Sequence, residues 1–186
     1  MDIQLYAIHV VPVILIVYFA FALFLHTPKE ALLASLLGGL VMAILNALGD
    51  LLAYYASWWH YAASGLILQL PLPFYLTPLF IFGGLAYLLT WRFSKGREQA
   101  GEGAKSSGAN WPTLALLLGV PLLGFARDLL NAGITHSSFL VWDSPLAGPI
   151  DFVLWLVMFY AGYTVFRRVL ASRGLVQTMP GEKRAG

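Results

Sequence analysis

The sequence predicts an all-α polytopic membrane protein with about five transmembrane helices, and three observations carry that class. Of its 186 residues 59% are apolar and 11% charged, a composition far from that of soluble domains. Five apolar stretches, at roughly 5–25, 31–56, 72–92, 111–133 and 149–170, each hold about 20 residues, the length that crosses a ~30 Å hydrocarbon core. Ten of the eleven Lys and Arg residues lie at the end of, or after, the first, third or fifth stretch. These are Lys29; Arg92, Lys95, Arg97 and Lys105; and Arg167, Arg168, Arg173, Lys183 and Arg184. If each stretch crosses once, all ten lie on one side. Positive charge is retained on the cytoplasmic side, so the pattern predicts an N-out, C-in chain in the cell (inner) membrane. A soluble bundle would need polar outer faces, and these stretches are apolar nearly all round.

Taken in order, the first stretch lacks a basic residue ahead of it, runs too long for a signal peptide and is followed by Lys29-Glu30. It reads as a retained helix. The second carries Ala34, Gly38, Gly39, Ala43 and Ala47, whose small-xxx-small spacing lets another helix approach closely. A groove for a flat ligand is the alternative. The loop that follows holds Trp58, Trp59 and Tyr61, and its counterpart after the fourth stretch holds Phe139 and Trp142. Such aromatic residues are expected as anchors at headgroup level, with ligand stacking as the other reading. Pro71, Pro73 and Pro78 interrupt segment 62–80, which suggests a re-entrant or interfacial stretch whose freed backbone groups must face protein or water. Segment 94–110 is rich in Gly, Ser and charge and reads as a flexible cytoplasmic linker. Residues 171–186 read as a cytoplasmic tail after a single transmembrane domain, 1–170.

At an offset of 78 residues the second and third stretches align with the fourth and fifth. Asp50-Leu51-Leu52 then falls on Asp128-Leu129-Leu130, Pro71 on Pro149, Phe74 on Phe152 and Gly84 on Gly162. Two readings remain: chance matches in a Leu-rich chain, or a tandem two-helix repeat with units 31–93 and 109–170. In the second case the copies are parallel about an axis along the membrane normal.

The polar residues inside this apolar frame are the candidates for chemistry. Asp50 lies ~28 Å along the second helix and Asp128 ~25 Å along the fourth, at 1.5 Å per residue. Asp151 opens the fifth. His9, His60, His136 and Asp143 fall at the same, outer level. Helical spacing places Asn46 with Asp50, and Arg127 with Asn131. Ionisable groups within a span face the bundle interior or a wet cavity. One reading is structural: Arg127 is neutralised by Asp50 or Asp128 and staples two repeats together, while Asp151 satisfies free N–H groups at a helix start. The other is a polar pocket lined by Asp50, Arg127, Asp128 and Asp151. Asn46, Asn131, His60, His136 and Trp59 stand near it as ligand-binding candidates. A carboxyl held in apolar surroundings can serve there as a proton donor.

Several classes of chemistry find no support. With no Cys there are no disulfides, thiolate metal sites or Cys nucleophiles. The histidines lack local metal-ligand spacing, and no basic stripe suggests nucleic acid. Nucleotide-binding glycine patterns and hydrolase or zincin motifs are also missing. No cofactor is indicated.

The run from Asp50 through Trp59 and Tyr61 to Pro71-Leu72-Pro73-Phe74, with the second pass from Asp128 to Pro149-Ile150-Asp151-Phe152, resembles the lycopene cyclase domain. That family is built of tandem small membrane domains. Each has an Asp-bearing helix, an aromatic stretch and a Pro-x-acid-acid-Phe-like motif that opens the next helix. The resemblance implies proton donation to a linear carotenoid, and it carries over Asp151, with Asp128 and Asp50 as the helix acids. The chain departs from the pattern at Pro73-Phe74, where acids are expected, and retains one carboxylate, Asp151, in the second motif. A relative that binds an isoprenoid or lipid without cyclising it fits these departures. Three functions follow as expectations. The first is a protein that handles a lipophilic, isoprenoid-like molecule, acting as an acid–base isomerase or cyclase if it is catalytic. The second is a substrate-binding transporter subunit with Ala34, Gly38 and Ala43 facing a partner helix or a second copy. The third is a structural subunit of a larger membrane complex.

Overall fold

The computed structural model describes residues 3–99, 111–134 and 139–174. Five helices among them are long and apolar enough to cross a membrane: Ile3–Phe24, Lys29–Tyr55, Leu72–Lys95, Trp111–Ile134 and Ala147–Ser172. The chain is a multi-pass integral membrane protein built almost wholly of helix. Helices α1 (Ile3–Phe24) and α2 (Lys29–Tyr55) are continuous. The third span starts as a 3-10 turn, Leu72–Tyr75, passes through a π-helix, Pro78–Leu85, and ends as α3 (Ala86–Gln99). The fourth is α4 (Trp111–Asp128), extended by a second π-helix, Leu129–Ile134, and the fifth is α5 (Ala147–Ser172). Strands β1 (Trp59–Tyr61) and β2 (Leu140–Trp142) pair antiparallel, with Trp59 opposite Trp142, His60 opposite Val141 and Tyr61 opposite Leu140. This ribbon joins the loop after α2 to the loop after α4 and defines the ribbon end of the bundle.

Size complementarity explains the packing. The buried stripe of α2 is small, with Ala31, Ala34, Ser35, Gly38, Gly39, Met42 and Ala43, whereas that of α5 is bulky, with Trp155, Met158, Phe159, Phe166 and Leu170 around Gly162. The two helices cross at paired glycines. A Cβ on Gly162 would sit 2.5 Å from the Gly38 carbonyl oxygen, and one on Gly38 would sit 2.7 Å from the Gly162 oxygen. Gly39 backs onto the Leu79 carbonyl and Gly83 of the first π-helix. Pro78 opens that segment without an N–H to donate, and the widened turn brings its backbone against α2. Tyr18 of α1 closes the core from the other side, where its hydroxyl shares a 2.8 Å hydrogen bond with Ser35. The rest of α1 exposes Leu5, Ile8, Val13, Ile16, Leu23 and Phe24, as a lipid-facing helix does.

The small-residue face of α2 is therefore filled by the chain's own α5 and third span, so Ala34, Gly38 and Ala43 are not free to face another subunit. The stretch expected as a linker, 94–110, is helical as far as Gln99, because the α3 ladder continues past the apolar run. Ser94 bonds back to the Thr90 carbonyl at 2.8 Å and Lys95 covers the Trp91 ring at 5.2 Å. Residues 100–110, and the tail from residue 175, lie outside the described residues. Segment 62–80 makes no re-entrant helix before Leu72. Ile67 and Leu70 close a two-residue hairpin turn with Leu68 at φ 52° and Gln69 at φ 65°, a conformation that costs non-Gly residues. Leu70, Pro71 and Tyr75 are buried behind it.

Candidate functional site

The ribbon end concentrates the polar residues of the bundle. Asp50, 5% exposed, lies in the last two turns of α2. Its Oδ1 accepts from the Trp59 indole at 3.0 Å, and its Oδ2 accepts from the hydroxyls of Tyr61 at 2.9 Å and Tyr75 at 2.8 Å. One carboxyl thus ties α2 to the ribbon and to the start of the third span. Burial, and then the nearby Asp50 charge, push the Tyr61 hydroxyl well above the ordinary tyrosine range, so it stays a donor. Trp59 is 3% exposed. It is not an anchor at the headgroups, because its N–H is committed to Asp50.

Asp128 closes α4 where the π-helix begins. Its Oδ1 accepts from Arg127 Nε at 2.9 Å and Nη2 at 2.8 Å, and its Oδ2 accepts from the Trp155 indole of α5 at 2.9 Å. Trp155 fits there because α4 offers Gly124 beneath its ring, where any Cβ would overlap the indole. The Arg127 guanidinium lies over Phe82 at 5.7 Å and over Trp155 at 5.6 Å. Its side chain is 45% exposed, so it reaches the bundle surface. The expected staple is therefore built differently: Arg127 pairs with its sequence neighbour, and the link between helices is the Trp155 indole. Asn131 is exposed on the π-helix. It follows Asp128 on a π turn, which holds more residues than an α turn. Asn46 is half-buried one turn before Asp50.

Asp151 differs from both. It is the fifth residue of α5, 6% exposed, and its Oδ2 has no hydrogen-bond partner among the described residues. It does not cap the helix. That start is held by Ser144, whose carbonyl accepts from Ala147 N at 3.0 Å and whose hydroxyl accepts from Leu146 N at 3.2 Å. Asp151 lies within electrostatic reach of Asp128, Asp50 and Arg127, so these four groups form one cluster.

Aromatic rings adjoin the cluster by way of Tyr61, a donor to Asp50. Tyr6 of α1 stacks on Phe74 at 3.8 Å, Phe74 on Phe139 at 4.6 Å, and Tyr61 tilts against Phe139 at 5.3 Å. His60 forms an exposed 2.7 Å pair with Asp143 across the ribbon. An exposed pair of this kind contributes less than about 1 kcal/mol. His9 is exposed on α1, and His136 lies outside the described residues.

Three participants escaped the sequence reading: Trp155, Tyr75 and Phe82. Trp155 carried a signal, since a Trp well inside a span rather than at its interface and four residues after Asp151 shares that acid's helix face. Tyr75 and Phe82 had none, because their spans are neither purely α-helical nor periodic. Comparison of the chain with protein-family models, curated proteins and solved structures found no match.

Proposed function

We propose that this membrane protein receives a lipophilic, isoprenoid-like small molecule beside Asp151, at the outer side of the cell membrane. The observation that carries this reading is the contrast among the three acids. Asp50 holds three donors and Asp128 holds an arginine and an indole, so both are committed to the scaffold. Asp151 is as deeply buried and keeps an oxygen without a partner among the described residues. A buried polar atom left unsatisfied costs about 1–3 kcal/mol, and such sites in membrane spans are by default functional. An acid whose oxygen is not taken up by scaffold donors is placed to exchange a proton with a bound molecule. If the protein is a catalyst, Asp151 is its acid–base group, with Arg127 and Asp128 as fixed neighbours. This is also the one motif acid that the carotenoid-cyclase resemblance retains. A purely structural role accounts for Asp50 and Asp128 but leaves Asp151 unexplained.

The test is mass spectrometry of what co-purifies after gentle detergent extraction, for the native chain and Asp151→Asn. The expected result is a specific isoprenoid-like molecule in the native protein that is lost from a folded variant. The same bulk lipid in both would overturn the reading.

A further inference from the structure

We infer that Arg127 forms a lipid-facing anion site, which holds the phosphate of an anionic phospholipid against the flank of the bundle. The Arg127 side chain is 45% exposed, and the helix surface around it is apolar. Leu123 and Leu130, on either side of it in sequence, are 66% and 53% exposed, as residues that meet lipid are. Arg127 lies seven residues before Ile134, where its span ends at the ribbon side, so ~10 Å along the axis at 1.5 Å per residue. The 24-residue span, ~36 Å long by the same rise, exceeds a ~30 Å hydrocarbon core. With the excess shared between the two faces, the Arg127 backbone sits ~7 Å inside the hydrocarbon boundary. A charge at that depth is accommodated when the bilayer thins locally and a headgroup descends to it.

The guanidinium is fixed where the lipid must meet it. It lies over the Phe82 and Trp155 rings at 5.7 and 5.6 Å, and its Nε and Nη2 donate to Asp128 Oδ1 at 2.9 and 2.8 Å. Arginine carries five N–H donors in a planar fork, and these two bonds take up one edge of it. Asp50, Asp128 and Asp151 are buried, none more than 8% exposed, so the charge presented to lipid on this flank is positive. Among the described residues Arg127 is the only Lys or Arg in the ribbon-end half of the bundle. A guanidinium matches phosphate oxygens bidentately. A free anion would have to leave water to reach it, and a second copy of the chain has its own span acids buried. A phospholipid brings its phosphate to the membrane surface already. A zwitterionic lipid brings the same group neutralised by its own ammonium, so the anionic lipid is preferred. This site does not depend on the reading of Asp151.

The full chain in mild detergent is irradiated with a phosphatidylglycerol that carries a photoactivatable diazirine on its headgroup, and labelled residues are mapped by peptide mass spectrometry. Labelling of α4 around Leu123 and Leu130 is expected. Unlabelled phosphatidylglycerol should compete for it about fivefold better than phosphatidylcholine, the ~1 kcal/mol that one basic residue contributes toward an anionic lipid. Arg127→Gln is expected to lower labelling of this segment about fivefold, while labelling at the basic ends of α3 and α5, near Arg92 and Arg167, is retained as the internal standard. Labels confined to those basic ends in the native chain would overturn the site. Equal competition by the two lipids would overturn recognition by charge. Labelling of α4 that survives Arg127→Gln undiminished would overturn the assignment to this arginine. If Arg127→Gln fails to fold, the competition on the native chain still decides.

Discussion

Asp50, Asp128 and Asp151 sit in one layer of the bundle, and what separates them is how many donors each oxygen meets. Removing the Asp50 carboxyl would orphan three buried donors, from Trp59, Tyr61 and Tyr75. Asp50→Ala is therefore expected to destabilise the protein by about 2–4 kcal/mol, read as a lower thermal midpoint in detergent. Asp151→Leu is expected to do the opposite. It deletes a buried oxygen that has no partner among the described residues and relieves the crowding of acids beside Asp128 and Asp50, so the midpoint should hold or rise. A fall as large as that of Asp50→Ala would make Asp151 another scaffold acid. On the proposed reading, a stabilising Asp151→Leu would fit a site that trades stability for reactivity.

Helices in this chain meet through backbone as much as through side chains. The α2–α5 crossing places Gly38 and Gly162 so that each would drive a Cβ into the other's carbonyl, and the Tyr87 hydroxyl donates to the Phe159 carbonyl at 2.7 Å beside them. Gly162→Ala should cost about 1–3 kcal/mol by overpacking. Ala at Gly119, where a Cβ meets nothing, should be neutral or slightly stabilising through helix propensity. Equal thermal midpoints for the two variants would show that the crossing is loose. The two π-helices are the elements that periodicity could not supply. One follows Pro78 and lies against Gly39, and the other follows Asp128 and carries Asn131. Their phase is set by contacts with neighbouring helices, which no local pattern of apolar residues encodes.

The distribution of Lys and Arg over the whole chain predicts that the ribbon end faces outward. The absence of Cys makes this directly testable by single-cysteine labelling in intact cells. Ser144→Cys, in the exposed turn before α5, should react with a membrane-impermeant maleimide added outside, and Ser94→Cys on α3 should react only after lysis. The reverse pattern would invert the orientation and place Asp151 at the inner side.

The sequence by itself determined the five spans, to within a few residues at each end, because ~20 apolar residues in helix satisfy their own backbone and match a bilayer. It also brought Asp50, Arg127, Asp128 and Asp151 to one level, because span length and alternating direction fix depth. What the tertiary structure decided is which partner each group found. Trp59 turned from the headgroups to Asp50, Trp155 reached Asp128 over a glycine, and Arg127 folded onto its own neighbour. The small face of α2 was filled from within the chain. These outcomes depend on the rotation of helices about their axes and on a three-residue ribbon between distant loops. Side-chain shape and donor count select both only once the helices are packed.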